Sequence, residues 1–115
     1  MRTLEIVDKE TWEEFCGSDC AVLLIGKTDC EACRIWGEEL EAFLGEDAEH
    51  TDVRFGKLFI NVPGLHKFKK ASPWLAEVTD LPYTVIYRGG VVEKSFYGGG
   101  VDRLVKRLLK VRRAA

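Results

Sequence analysis

Two thiols three residues apart, Cys30 and Cys33, are the part of this chain best suited to chemistry. They lie in the polar stretch Lys27-Thr28-Asp29-Cys30-Glu31-Ala32-Cys33-Arg34, between an apolar run and a long amphipathic segment. Residues i and i+3 on the first turn of a helix can reach one another, so such a pair can alternate between dithiol and disulfide. Exchange needs a thiolate to attack a disulfide sulfur and a second thiol to resolve the mixed disulfide. Cys30, at the helix start, is the expected attacker, because it is the more exposed and lies at the positive end of the macrodipole. Cys33, one turn further in, is the expected resolving thiol.

The neighbours of the pair tune that chemistry. A helix terminus favours a thiolate by about 0.3–1 kcal/mol. A unit negative charge at about 4 Å opposes it by about 1 kcal/mol in bulk water and about 4 at an effective dielectric of about 20. Asp29 and Glu31 can therefore cancel most of the helix effect, with Arg34 expected to pull the other way. The Cys30 thiol is accordingly expected to be only modestly acidified, which leans the chain toward reductant.

Two further cysteines, Cys16 and Cys20, raise the possibility of a four-thiolate zinc site. The strand between Cys20 and Cys30 argues against it, since six residues at about 3.3 Å each separate its ends by roughly 20 Å. No metal is expected, and Cys16 and Cys20 are expected to be packed or idle thiols at the opposite pole. An i, i+4 pair on an intact helix sits too far apart for a relaxed bridge.

The elements that must position the pair can be read outward from it. Ala21 to Gly26 is a continuous apolar run, as in a central strand covered on both faces. Cys30 to about Leu44 has helical spacing, through Cys33, Ile35 or Trp36, Leu40, Phe43 and Leu44, with Gly45 as a stop. Val53 to Val62 reads as the next strand, closed by Pro63-Gly64. Upstream, Leu4 to Val7 is a short strand, and Asp8 is placed to cap a helix through Trp12 and Phe15 that ends at Gly17-Ser18-Asp19. Downstream, residues 65–70 (Leu65-His66-Lys67-Phe68-Lys69-Lys70) show no clear period and are expected to be a solvated loop. A short helix starts at Ser72-Pro73. Thr84–Tyr87 and Val91–Phe96 flank Arg88-Gly89-Gly90 as an antiparallel hairpin. After Gly98-Gly99-Gly100 a last helix buries Val101, Leu104, Val105 and Leu108 and exposes Arg103, Lys106, Arg107 and Lys110.

The order β-α-β-α-β-α-β-β-α describes an α/β protein, a mixed central β-sheet with helices on both faces. With 115 residues, 46% of them apolar, one domain over 1–115 can bury its own core without crosslinks. The net charge of −2 hides a division: residues 1–50 carry fourteen acids and four bases, and residues 51–115 five acids and thirteen bases. Because the bases fall on separate elements, no nucleic-acid partner is expected. The charged first residues do not suit a signal peptide, and no run approaches a membrane span, so a cytoplasmic address and no membrane partner are expected.

The CxxC after the second strand, the Leu81-Pro82 before the hairpin and its glycine turn together make the chain resemble the thioredoxin family over nearly its whole length. The resemblance implies the thioredoxin fold and a thiol–disulfide oxidoreductase with Cys30 and Cys33 catalytic and no cofactor. It implies protein disulfides as substrates, a thioredoxin reductase or small thiol as electron donor, and a monomer. X–Pro bonds are cis only about 5% of the time, so the sequence alone favours trans at Pro82. The resemblance reverses this and sets a cis-proline opposite the cysteines, with Leu81 offering backbone groups to an extended substrate. Gly98 matches a glycine that opens the same groove, Glu31 and Ala32 border it, and Lys57 matches a lysine near the buried thiol. The chain departs from the family pattern: Asp29 replaces a tryptophan before the first cysteine, Leu24 replaces a buried aspartate, Glu38 replaces a helix-kinking proline, Glu31-Ala32 stand between the cysteines in place of Gly-Pro, and residues 65–70 are an insertion. The first puts substrate range in doubt, and the second implies slow activation of Cys33. Two other functions remain open, a partner-binding module that rarely turns over and a metal or iron–sulfur carrier using the CxxC thiolates.

Overall fold

The computed structural model describes residues 2–113. Its centre is a five-stranded sheet in the order β1-β3-β2-β4-β5. The strands are β1 (Glu5–Ile6), β2 (Cys20–Gly26), β3 (Arg54–Phe59), β4 (Tyr83–Arg88) and β5 (Val91–Tyr97). β3 runs parallel to β1 and β2, whereas β4 pairs antiparallel with both β2 and β5, so the sheet is mixed. All seven residues of β2 are buried. Each of its large aliphatic side chains contributes roughly 1.5–3 kcal/mol, which is why this run lies in the middle of the sheet.

Alternate residues of the strands feed two cores. Val22, Leu24, Phe55 and Ile86 face α2 (Glu31–Glu46) and α4 (Val101–Arg113), meeting Trp36, Leu40, Leu104 and Leu108. Leu23, Ile25, Leu58 and Val85 face α1 (Trp12–Cys16) and α3 (His66–Ala71), meeting Phe15 and Phe68. Both faces are thus covered by helices, as the order of elements implies.

Several boundaries differ from the sequence reading. Asp8 does not cap α1 directly. Its carboxylate accepts from the N–H groups of Glu10 and Thr11, closing a turn, and Thr11 is the cap residue, its hydroxyl bonded back to Asp8 and not to the helix. α2 runs through Gly45 to Glu46, because the apolar stripe ending at Leu44 packs on the sheet and holds the last turn. Trp36 is the buried residue of the Ile35/Trp36 pair, and Ile35 is exposed. β3 is shorter than Val53–Val62, ending at Phe59. In α4, Val101 and Val105 are half-buried and Val111 completes the buried stripe instead.

The largest correction concerns residues 65–70. They belong to a helix rather than a solvated loop, with Leu65 and Phe68 buried in the α1-side core and Lys67, Lys69 and Lys70 exposed. One and a half turns are too short for periodicity to show. The third helical element is therefore double: α3 is followed by a 3₁₀ turn, Pro73–Glu77, with Pro73 in its first turn. The hairpin turn is the two-residue Gly89-Gly90, both at positive φ (56° and 86°), the conformation of a type I′ connection.

Candidate active site

β2 delivers the chain to the C-terminal end of the central strand at Gly26, and a loop of three exposed residues, Lys27, Thr28 and Asp29, carries it to the head of α2. Asn61, just past β3, pins this loop. Its side-chain oxygen accepts from Thr28 N–H at 3.2 Å, and its amide donates to Thr28 Oγ1 at 2.8 Å. Cys30 has extended dihedrals and is the N-cap of α2, where its sulfur accepts from Cys33 N–H at 3.1 Å. Such a donor at the positive helix end favours negative charge on that sulfur.

Cys30 and Cys33 are joined by a disulfide, with their Cα atoms 5.2 Å apart. Cys30 is half-buried and Cys33 only 5% exposed. Gly26 makes room for the inner cysteine, since a Cβ built there would lie 3.0 Å from Cys33 Sγ.

The second half of the site comes from the start of β4. The Leu81–Pro82 bond is cis, and the Leu81 carbonyl oxygen lies 3.9 Å from Cys30 Sγ. Pro82 accepts through its carbonyl from Gly98 N–H at 2.8 Å, which binds the loop after β5 to the proline. A buried chain of hydrogen bonds supports that loop from below. Trp36 Nε1–H donates to Thr84 Oγ1 at 3.0 Å, and Thr84 donates to the Gly98 carbonyl at 3.2 Å. α2, the cis-proline strand and the Gly98 loop are thereby one mechanical unit. Sequence reasoning missed Trp36 and Thr84 in this role; a lone threonine within the apolar run of β4 was the available signal.

The cysteines stand between two clefts, both lined by Cys30 and Lys27. The first, of about 390 Å³, lies on the Leu81 side and is bordered by Ile60, Leu75, Val78, Thr79 and Asp80. The second, of about 520 Å³, opens between α2 and β3, where Leu24, Gly37, Glu41, Lys57 and Phe59 meet both cysteines. Lys57 is half-buried beside Leu24 in the strand register, on the cleft that Cys33 also lines. Leu24 is 2% exposed, so an apolar side chain occupies the position next to the inner thiol.

The charged neighbours are arranged differently from the sequence expectation. The Arg34 guanidinium is tied to Glu31 through both Nε and Nη2 and to Glu38 at 2.6 Å. The Arg34 hydrogen bond holds the Glu31 carboxyl below its ordinary value. Glu31 is therefore compensated by Arg34, while Asp29 makes no ion pair among the described residues. Glu31 and Ala32 are exposed on the first turn of α2.

Cys16 and Cys20 remain free and buried. They belong to different cores, Cys16 on the α1 side and Cys20 on the α2 side, and burial pushes both thiols up. The sheet between them separates them from each other.

No protein-family model and no curated protein matches the sequence. Solved structures do match. Spinach chloroplast thioredoxin f superposes with a TM-score of 0.75 at 21% identity, over 96% of this chain and 87% of that one. Chlamydomonas reinhardtii thioredoxin f2 gives 0.74 at 23% identity, over 97% and 99%. Oxidised thioredoxin O2 from Arabidopsis thaliana gives 0.72 at 18% identity, over 95% and 94%. At these identities the likeness is one of fold, and it agrees with the strand order and the cysteine pair heading α2: the chain is built on the thioredoxin fold.

Proposed function

We propose that this protein is a thiol–disulfide oxidoreductase that reduces protein disulfides. The observation that carries the reading is the Cys30–Cys33 disulfide at the head of α2, with Cys30 on a groove formed against cis-Leu81–Pro82. In the reduced protein, the Cys30 thiolate, held by Cys33 N–H, attacks one sulfur of a substrate disulfide. The substrate's other sulfur leaves as a thiolate and takes a proton from solvent. Cys33 then loses its proton and attacks Cys30 Sγ, releasing the second substrate thiol and leaving the internal disulfide. Two electrons pass from the protein to the substrate, and a reductase or a small thiol returns them.

An extended substrate segment lies along Leu81, whose backbone offers strand-like hydrogen bonding. Gly98 does not line this cleft; it is tied behind it, through its N–H, to the Pro82 carbonyl. The buried position beside Cys33 is held by apolar Leu24, which supplies no carboxylate to take the inner thiol's proton, and the second step is accordingly slower than the first. The same residue favours a second reading, a module that holds partners as long-lived mixed disulfides. The reading takes the protein to be a monomer working in a reducing cytoplasm, where a close cysteine pair cycles instead of serving as a permanent crosslink.

Turnover of insulin disulfides with dithiothreitol as donor tests it. Cys30→Ser is expected to abolish the catalysed rate, and Cys33→Ser to accumulate a mixed disulfide at Cys30, read by mass spectrometry. Equal rates for the wild type and Cys30→Ser would overturn the enzyme reading. A mixed disulfide that persists in the wild type would favour the holding module.

A further inference from the structure

The cleft between α2 and β3 has no part in the substrate path just described, yet it ends on the same disulfide. Its two walls are the α2 stripe Cys33, Gly37 and Glu41, spaced i, i+4 and i+8, and the end of β3 with Lys57 and Phe59. Side chains on a helix lean toward its N-terminus, so the missing side chain of Gly37 vacates the surface next to Cys33. A Cβ at Gly37 would lie at ordinary contact distance, 3.9 Å, from the side chains of Leu4 and Leu24, so the glycine leaves a gap of one side chain in the cleft wall beside Cys33. The floor is Leu24, and the volume of about 520 Å³ falls in the range of small-molecule sites.

The charges of the cleft are mixed but unequally committed. Arg34 is held by Glu31 and Glu38. The Glu41 carboxylate accepts from Leu4 N–H through one oxygen at 3.2 Å, and its other oxygen has no partner among the described residues. Lys27 and Lys57 form no ion pair among the described residues. Asp29, equally without an ion pair among the described residues, lines the same cleft beside Cys30. Two ammonium groups and two carboxylates, set around an apolar floor, complement a zwitterion that carries carboxylates and an amine.

We infer that this cleft binds a zwitterionic low-molecular-weight thiol of short-peptide size, which reduces the Cys30–Cys33 disulfide from the side opposite the protein-substrate groove. The inference rests on the oxidoreductase reading and names its electron donor. Lys27 and Lys57 take the carboxylates, and Glu41 takes the amine. The bound thiol, as its thiolate, attacks Cys30 Sγ. The Cys30–Cys33 bond breaks, and its electron pair leaves on Cys33 Sγ, which is protonated from solvent. A second small thiolate attacks the small-molecule sulfur of the mixed disulfide, releasing a symmetrical disulfide and the Cys30 thiolate, held by Cys33 N–H. Two small thiols are oxidised and one protein disulfide is reduced. Because Cys30 borders both clefts, it passes electrons from one side of α2 to the other.

The test uses the oxidised full chain and two probe thiols, glutathione and uncharged 2-mercaptoethanol, with disulfide reduction followed directly. In the wild type the glutathione rate should saturate with concentration, and the 2-mercaptoethanol rate should rise linearly. The quantity compared between variants is the ratio of the two rates, which cancels changes in disulfide reactivity or folding. Lys57→Gln should lower that ratio about fivefold, the upper range for a partly exposed ion pair, and Lys57→Arg should restore it. Gly37→Leu, which fills the gap, should lower it by at least about tenfold. A linear glutathione dependence, or a ratio unchanged in both Lys57→Gln and Gly37→Leu, overturns the inference. Insulin reduction driven by dithiothreitol is measured alongside. If that persists while the ratio does not respond, the small-thiol site fails and the oxidoreductase reading stands; if insulin reduction is absent, the oxidoreductase reading fails and the inference with it.

Discussion

Arg34 illustrates how far a residue's role depends on its partners. By sequence spacing it lies one turn from Cys30 and should offset the adjacent acids. Its guanidinium instead bridges Glu31 and Glu38 on the outer face of α2. The effect on the thiolate is then indirect, through neutralising Glu31, and Asp29 is the remaining uncompensated acid beside Cys30. Thr84 is the opposite case, a residue with no evident role in the sequence that joins the two halves of the site. Its hydroxyl is fully buried and serves Trp36 Nε1–H and the Gly98 carbonyl at once. Thr84→Val keeps the shape and removes both bonds, leaving a buried donor and acceptor unpaired. The expected loss is about 1–3 kcal/mol in urea unfolding, and a change below about 0.5 would show that the network does not support the site.

At the scale of elements, α3 shows what short amphipathic segments conceal. Three lysines and a histidine in six residues look like solvated chain, but Phe68 is fully buried, and its ring meets Trp12 edge-on at 5.6 Å. This helix closes the α1-side core and leads into the 3₁₀ turn that supplies Leu75 to the cleft beside Leu81 and Cys30. Phe68→Ala is expected to destabilise the protein by about 3–5 kcal/mol, measured by chemical denaturation. Replacing Lys67, Lys69 and Lys70 together by serine should change stability by no more than about 0.5 kcal/mol per site. The reverse ranking would mean that α3 is held by its charges and not by its core contact. α2 makes the complementary point: without a proline at Glu38, it continues for sixteen residues and carries Cys33, Trp36 and Glu41 as one rigid piece.

For the whole molecule, the buried groups remote from the Cys30–Cys33 pair set its response to alkali. Burial raises the thiols of Cys16 and Cys20 and the phenol of Tyr87, which lies beside Cys16. The folded chain therefore keeps these protons at pH values where the unfolded chain releases them. The unfolded state binds fewer protons there, so stability falls as pH rises. The contribution is fully present below the unfolded-state thiol value and is lost progressively above about pH 9. The urea midpoint should accordingly drop between about pH 8 and about pH 10.5, and less steeply in Cys16→Ala/Cys20→Ala, where Tyr87 alone remains. Equal slopes for the two proteins would remove the thiols from this account.

What the sequence determined by itself was everything carried by local pattern: the central buried run of β2, the amphipathic α2 headed by two cysteines, the hairpin with its paired glycines, and hence the sheet with helices on both faces. Hydrophobic periodicity and turn chemistry act over a few residues, so they can be read in one dimension. The resemblance carried by CxxC and Leu81-Pro82 added the cis bond, which composition and spacing could not supply. Tertiary structure alone decided the rest. The pairing of Arg34 with Glu31 and Glu38, the Trp36–Thr84–Gly98 chain, the docking of Phe68 and the open cleft over Gly37 all join groups whose meeting depends on how helices pack across strands. Those distances are set by the folded core, and no local segment holds the information to choose among the side chains within reach.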